Sequence, residues 1–282
     1  MRIKVTVILF FVFVLNLSAQ VNENDKYALT NSAFTIGAGS AKILDPYLSP
    51  FNYNGLQVRA QNVSRKYFNP ENNTLSYTHK GFLDLGIASH PVGSNSMLFF
   101  STNYAFGINY HFRPIEKLMI LAGGSWDINL GGKYLARNVN NPFSLDLYTN
   151  LNATAEIQYD FNLWRQNLRV QYGTQTPILG GMFVPHQGAT YYEVFMLSNL
   201  TNAFHFSSLH NKIGWHQYLN IDIPTKINTI RFSIAHDYLI YGANDMVFKN
   251  NRLTFFVGSV MDLYVFSGTK RKTPSNFIKT YE

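Results

Sequence analysis

Polar and apolar positions alternate with a period of two along most of the chain, and residues 145–161 carry the pattern longest. Leu145, Leu147, Leu151, Ala153, Ala155, Ile157, Tyr159 and Phe161 interleave with Asp146, Asn150, Asn152, Thr154, Glu156, Gln158 and Asp160. Successive side chains of a strand point to opposite faces, so this spacing predicts a long β-strand with one apolar and one polar face. The rhythm predicts ten strands, at 32–45, 55–67, 75–90, 97–112, 118–136, 144–161, 167–176, 204–223, 229–241 and 252–266. Soluble strands run about 5–6 residues, whereas a tilted membrane strand needs about 9–11. The expected fold is therefore all-β, an antiparallel up-and-down transmembrane β-barrel of about ten strands. Twelve is the alternative if 191–197 is one arm of an extra hairpin rather than a helix over the mouth.

The first residues have a different organisation. Arg2 and Lys4 precede an apolar run, Val5 to Leu15, and Leu17-Ser18-Ala19 closes it with small residues. This predicts a signal peptide over 1–19, cleaved near Ala19, a single barrel over 20–266 and a basic periplasmic tail over 267–282. The run is shorter than the ~20 residues of a spanning helix, and nothing after Gln20 is apolar enough to be one. A membrane-resident mature chain must then cross by strands. The 23 Phe and 18 Tyr of the full sequence, most of them after Ala19, fit the aromatic girdles of such barrels. The expected location is the outer membrane of a Gram-negative bacterium.

Connections at 113–117, 162–166 and 224–228 read as short, and those at 137–143, 177–203 and 242–251 as longer. Short periplasmic turns and long outer loops would then orient the barrel with both termini in the periplasm. Strand parity sorts the side chains. Phe100, Tyr104, Phe106, Ile108, Tyr110 and Phe112 would face lipid, while Ser101, Asn103, Gly107, Asn109 and His111 would face the bore. The lumen-lining polar residues expected by the same logic are Arg59, Lys80, Asp84, Asp127, Asn129, Glu156, Arg169, His216, Arg231, Asp237 and Asp262. Acids and bases both occur among them, and burial of either alone is costly, so pairing is expected.

Charge and motifs add little chemistry. The net charge of +7 falls to about +2 in the body once the leader and tail are set aside, which argues against nucleic acid as a partner. The chain has no cysteine. Its histidines are scattered without ligand spacing, so neither metal nor cofactor is expected. Asn-x-Ser/Thr sequences at Asn62, Asn72, Asn152 and Asn199 are chance matches, since Asn152 falls in the inward set. His236 and Asp237 are neighbours on a strand and point to opposite faces. Folding back at 224–228 instead sets Asp237 across from His216, a carboxylate beside an imidazole. Ser208 and His210, expected on the inward face of the same strand, and Thr254 are the nearby hydroxyl and imidazole candidates. The same register sets Arg231 opposite Asn220 or Asp222, Arg169 opposite Asp160, and Asp127 opposite Asn103.

The run Asp45-Pro46-Tyr47-Leu48-Ser49-Pro50-Phe51 before Tyr53-Asn54-Gly55, Tyr191-Tyr192-Glu193-Val194-Phe195, and Phe256-Val257-Gly258-Ser259-Val260-Met261-Asp262-Leu263 carry a likeness over most of the mature chain. They resemble an uncharacterised outer-membrane β-barrel family of Bacteroidota, known only as a domain of unknown function. The resemblance implies membrane, topology and compartment, and no catalytic residues. Outer-membrane lipid and the barrel-assembly machinery are the expected partners, with a small-molecule or protein ligand undefined. The functional expectation is a narrow pore, a surface-binding protein or a structural element, more a non-enzyme than an enzyme. The alternative is a membrane-embedded hydrolase or acyltransferase acting on outer-leaflet lipid through His216, Asp237, Ser208 and His210.

Overall fold

The structure is a computed structural model that describes residues 27–163, 166–197, 200, 202–225, 228–263 and 277–278. In chain order the strands are β1 (Tyr27–Ala28), β2 (Thr30–Asp45), β3 (Ser49–Tyr67), β4 (Leu75–Ser89), β5 (Ser96–Ile115), β6 (Leu118–Tyr134) and β7 (Phe143–Leu163). They continue with β8 (Gln166–Phe183), β9 (Phe204–Ser208), β10 (Lys212–Pro224), β11 (Thr229–Ala243), β12 (Met246–Leu263) and β13 (Phe277–Ile278). Ten of these, β2–β8 and β10–β12, pair antiparallel with their neighbours and close into a barrel through β12–β2 and β8–β10. Closure pairs the backbone groups that an open sheet edge would leave free. The expected signal peptide lies outside the described residues. So does most of the expected tail, of which Phe277–Ile278 pairs in parallel with Tyr27–Ala28.

The two ends of the barrel differ, and several expectations change there. Thr30 and Leu263 pair at one end, called here the terminal end. At the opposite, far end, β3 starts at Ser49 and β8 runs on to Phe183. The supposed long loop 242–251 is a hairpin instead. It turns on Asn244 and Asp245, whose φ values of 52° and 61° are left-handed, as a two-residue turn of that hand requires. Loop length thus does not separate the ends cleanly, because Phe68–Thr74 connects β3 to β4 at the terminal end. Residues Tyr192–Met196 form a π-helical turn, so no additional hairpin arises there. The strand expected at 204–223 is interrupted at Leu209–Asn211. Its first part, β9, pairs only with the last residues of β8, Leu179–Phe183.

The outer surface follows the expected parity. Leu83, Leu85, Phe100, Ile108, Trp126, Ile128, Leu151, Ile157, Phe232 and Phe255 are all exposed on it. The inside does not follow the simple rule that every inward position is polar. Toward the far end Ile43, Tyr53, Met97, Phe99, Met182, Tyr241, Met246 and Phe248 point inward and form a buried apolar core. The segment after Phe183 folds over this rim. Its Tyr191 packs edge-on against Tyr47 with ring centroids 5.5 Å apart, and the Tyr47 hydroxyl donates to the Ala189 carbonyl at 2.6 Å. Burial, helped by the Asp45 and Glu193 carboxylates, pushes that hydroxyl up to about 12, so it remains a donor. The bore is roofed.

Candidate functional site

Below the roof the bore is crossed by charged layers, each built by strands that place one inward charge at the same height. At the terminal mouth Arg169 grips Asp160 from the neighbouring strand at 2.6 and 2.9 Å. Asp262 accepts from Asn31 at 2.8 Å, and both line a mouth cavity of about 360 Å³. Next, Arg231 holds Asp222 at 2.6 Å through both Nε and Nη2. At a similar depth Arg65 of β3 reaches across to Glu156 of β7 at 2.8 and 2.7 Å. Glu156 also accepts from the Tyr218 hydroxyl of β10. This is the lower strut.

The upper strut is larger. Asp84, fully buried, accepts from Arg59 at 2.5 and 2.8 Å and from Arg252 at 2.5 Å. Arg59 also donates to Asp237 at 2.7 Å, and its guanidinium lies 4.4 Å over the Phe82 ring. Asp237 receives the Nδ1 side of His216, while Lys80 Nζ stands 2.6 Å from His216 Nε2. The ring is therefore held with its proton toward the carboxylate and a lone pair toward the ammonium. Lys80 lies on β4 and His216 on β10, diametrically opposite in the ring of strands. A cavity of about 100 Å³ lies between the struts and another of about 110 Å³ borders the upper one on its far side. Above that, Lys133 bridges Asp146 at 2.5 Å and Asp45 at 3.0 Å.

Residues 5–270 match the family model described as "Protein of unknown function (DUF3316)". The chain belongs to the DUF3316 family. None of the curated proteins compared with it matches. Among solved structures it is similar to the transport unit of the autotransporter AIDA-I from Escherichia coli, at 9% identity over 90% of this chain and 97% of that one, with a TM-score of 0.46. It is also similar to the translocator domain of the autotransporter NalP from Neisseria meningitidis, at 10% identity over 91% and 94%, TM-score 0.31. A third likeness is to Ail, the attachment invasion locus protein of Yersinia pestis, at 10% identity over 82% and 98%, TM-score 0.27. Likenesses this distant carry no argument about activity.

The DUF3316 barrel brings some of the expected residues together and separates others. His216 pairs with Asp237, Asp222 with Arg231, and Asp160 with Arg169 in the strand register. Two registers are corrected by one step of the pleat. Asp127 stands opposite Ala105, and Asn103 opposite Asn129. Thr254 stands opposite Ala235, away from Asp237, and accepts from Gln57 at 2.7 Å. Ser208 and His210 also move. The interruption at Leu209–Asn211 makes Ser207 the inward, buried residue of β9. Ser208 instead pairs with its own turn, 2.6 Å from Nδ1 of the exposed His210. Neither touches the His216–Asp237 pair, so no hydroxyl nucleophile reaches that imidazole among the described residues. His236 lies between Gln217 and Asn251 at 3.2 and 2.9 Å.

Arg65, Asp45, Lys133, Asp146, Lys212 and Arg252 belong to the charged interior and were not among the expected lumen residues. Lys212 is the anomaly. It is 2% exposed, its Nζ has no hydrogen-bond partner among the described residues, and it lies 3.8 Å from the Tyr148 ring centroid. A cation–π contact offsets about 2 kcal/mol at best, and the Asp127 and Asp146 carboxylates act only from beyond salt-bridge distance, together less than the several kcal/mol of burying an ammonium. Lys212→Met is therefore expected to stabilise the barrel by about 1 kcal/mol. The denaturant midpoint of the detergent-folded protein reads this, and a lower midpoint would refute it.

Proposed function

We propose that this chain is an outer-membrane β-barrel that binds at the membrane and does not conduct, with the terminal end in the periplasm. The apolar outer face supports membrane residence: in water, exposed leucine, isoleucine and phenylalanine on strand after strand would be unfavourable, whereas hydrocarbon is their solvent. The Gram-negative, Bacteroidota setting that the resemblance implies belongs to this reading, as does delivery by a cleaved signal peptide and the barrel-assembly machinery.

The observation that carries the binding role over the pore is the filled bore. Two ion-paired struts cross it and an apolar core roofs it, so an ion would have to break buried salt bridges and then cross a dry layer. The hydrolase alternative is not favoured, because its serine stands outside the wall. Purified full-length protein in planar bilayers is expected to give no stable conductance steps, while shifting its gel mobility on heating as folded barrels do. Reproducible ohmic steps from the heat-modifiable species would overturn the closed-barrel reading.

A further inference from the structure

Two features of the upper cavity are left over once the salt bridges of the bore are drawn. The first is charge. Inside the bore, Arg59, Asp84, Arg252, Asp237, Arg65, Glu156, Arg231, Asp222, Lys133, Asp45 and Asp146 all have an opposite charge within salt-bridge distance. Lys80 and Asp127, which line the same cavity of about 110 Å³, do not, and neither does Lys212, which acts on Asp127 and Asp146 only from beyond that distance. Lys80 has only the His216 ring as a hydrogen-bond partner among the described residues. Asp127, 5% exposed, is held by the neutral amides of Asn150 and Asn152 at 2.8 and 2.7 Å, with Gln175 at 3.4 Å. Asp127 is buried and Lys80 half-buried, and opposite charge answers each only from beyond salt-bridge distance; charges so weakly compensated are costly, and here one of each sign faces one space.

The second feature is a seam in the wall beside that space. The β8–β10 ladder ends at Gln175↔His216, and on that edge β8 is paired again only at Leu179↔Ser208, its other edge remaining paired with β7. Between them Pro177 has no N–H to give, and Gly214 presents no side chain. A Cβ at Gly214 would meet the Pro177 ring at 2.9 Å. The bond across this gap is from a side chain, Thr176 Oγ1 to the Gly214 carbonyl at 2.9 Å. Pro177, Gly214 and Trp215 line the cavity together with Lys80 and Asp127, so the weak stretch of wall is the cavity's own side. Outside, Leu179, Ile213 and Trp215 are exposed.

We infer that this cavity binds the zwitterionic phosphoethanolamine headgroup of a membrane lipid, admitted through the β8–β10 seam, with its phosphate at Lys80 and its ammonium at Asp127. The inference rests on the membrane reading above and deepens it by naming the ligand class. Entry from the bilayer follows from the other routes: the far end is roofed and the lower strut crosses the bore on the terminal side.

The test uses the full chain in detergent and native mass spectrometry with added phosphatidylethanolamine, phosphatidylglycerol or soluble phosphoethanolamine. Wild type is expected to retain phosphatidylethanolamine at least tenfold better than phosphatidylglycerol. Lys80→Gln and Asp127→Asn, checked as folded by heat-modifiable mobility, are each expected to lose that preference. Because the chain has no cysteine, the pair Pro177→Cys and Gly214→Cys can staple the seam. Oxidation is expected to block lipid uptake, and reduction to restore it. Equal retention of both lipids, or a preference indifferent to Lys80 and Asp127, would overturn the site. Soluble phosphoethanolamine binding equally well to the stapled form would overturn the seam as the route. Bilayer conductance reads the closed-barrel proposal separately, so the failure of one is not mistaken for the failure of the other.

Discussion

Asp84→Asn is expected to cost the barrel about 3–5 kcal/mol, among the largest single losses available in its interior. The carboxylate is the hub of the upper strut. It is completely buried and answers two guanidinium groups, Arg59 at 2.5 and 2.8 Å and Arg252 at 2.5 Å. An amide keeps the shape and one acceptor but no charge. Arg59 would retain Asp237, whereas Arg252 would be left with neutral partners, the Asn250 side-chain oxygen at 2.8 Å and the Phe99 ring at 5.4 Å. The control is Asp160→Asn at the mouth. Its pair with Arg169 has the same near-bidentate geometry, but its side chain is 40% exposed, and water replaces what is lost. That change is expected to cost less than about 1 kcal/mol. Denaturant unfolding in one detergent compares the two directly. Equal losses would show that the strut does not bear on stability.

The strands were legible because a membrane wall and a filled bore impose period two on every segment, and nothing else in the chain competes with that signal. Parity also found Arg59, Asp84, Glu156 and Arg231, since each falls between apolar neighbours that take the opposite, outward face. What escaped were features that parity treats as errors. Met97 and Phe99 sit in phase with Ser101 and Asn103, and so point inward. Their apolar character departs from the rule that inward positions are polar, because the far end is a small apolar core. Arg252 and Lys133 lie in the inward phase within the expected strands 252–266 and 118–136, so parity carried the signal for them although they were not among the expected lumen residues. Ser208 and His210 went wrong for another reason. A turn of three residues, Leu209–Asn211, resets the phase between β9 and β10, and alternation cannot be carried through it. Which pairs meet across the bore was not legible at all. Lys80 and His216, or Arg65 and Glu156, are joined by barrel closure and not by a hairpin.

Phe248→Ala should test the roof with a comparable effect, about 3–5 kcal/mol of lost stability. Phe248 is 4% exposed and stacks on Tyr241 with centroids 4.9 Å apart and rings 5° from parallel. Its neighbours are the ends of several strands, fixed by hairpins, so the space would not collapse fully and a cavity term would add to the lost burial. The functional outcome separates roof from struts. The layers Lys80–His216–Asp237 and Arg65–Glu156–Tyr218 lie below and do not use Phe248. The variant is therefore expected to be less stable and still silent in a planar bilayer. If Phe248→Ala conducts, the roof alone seals the bore, and the struts are porous bracing rather than barriers.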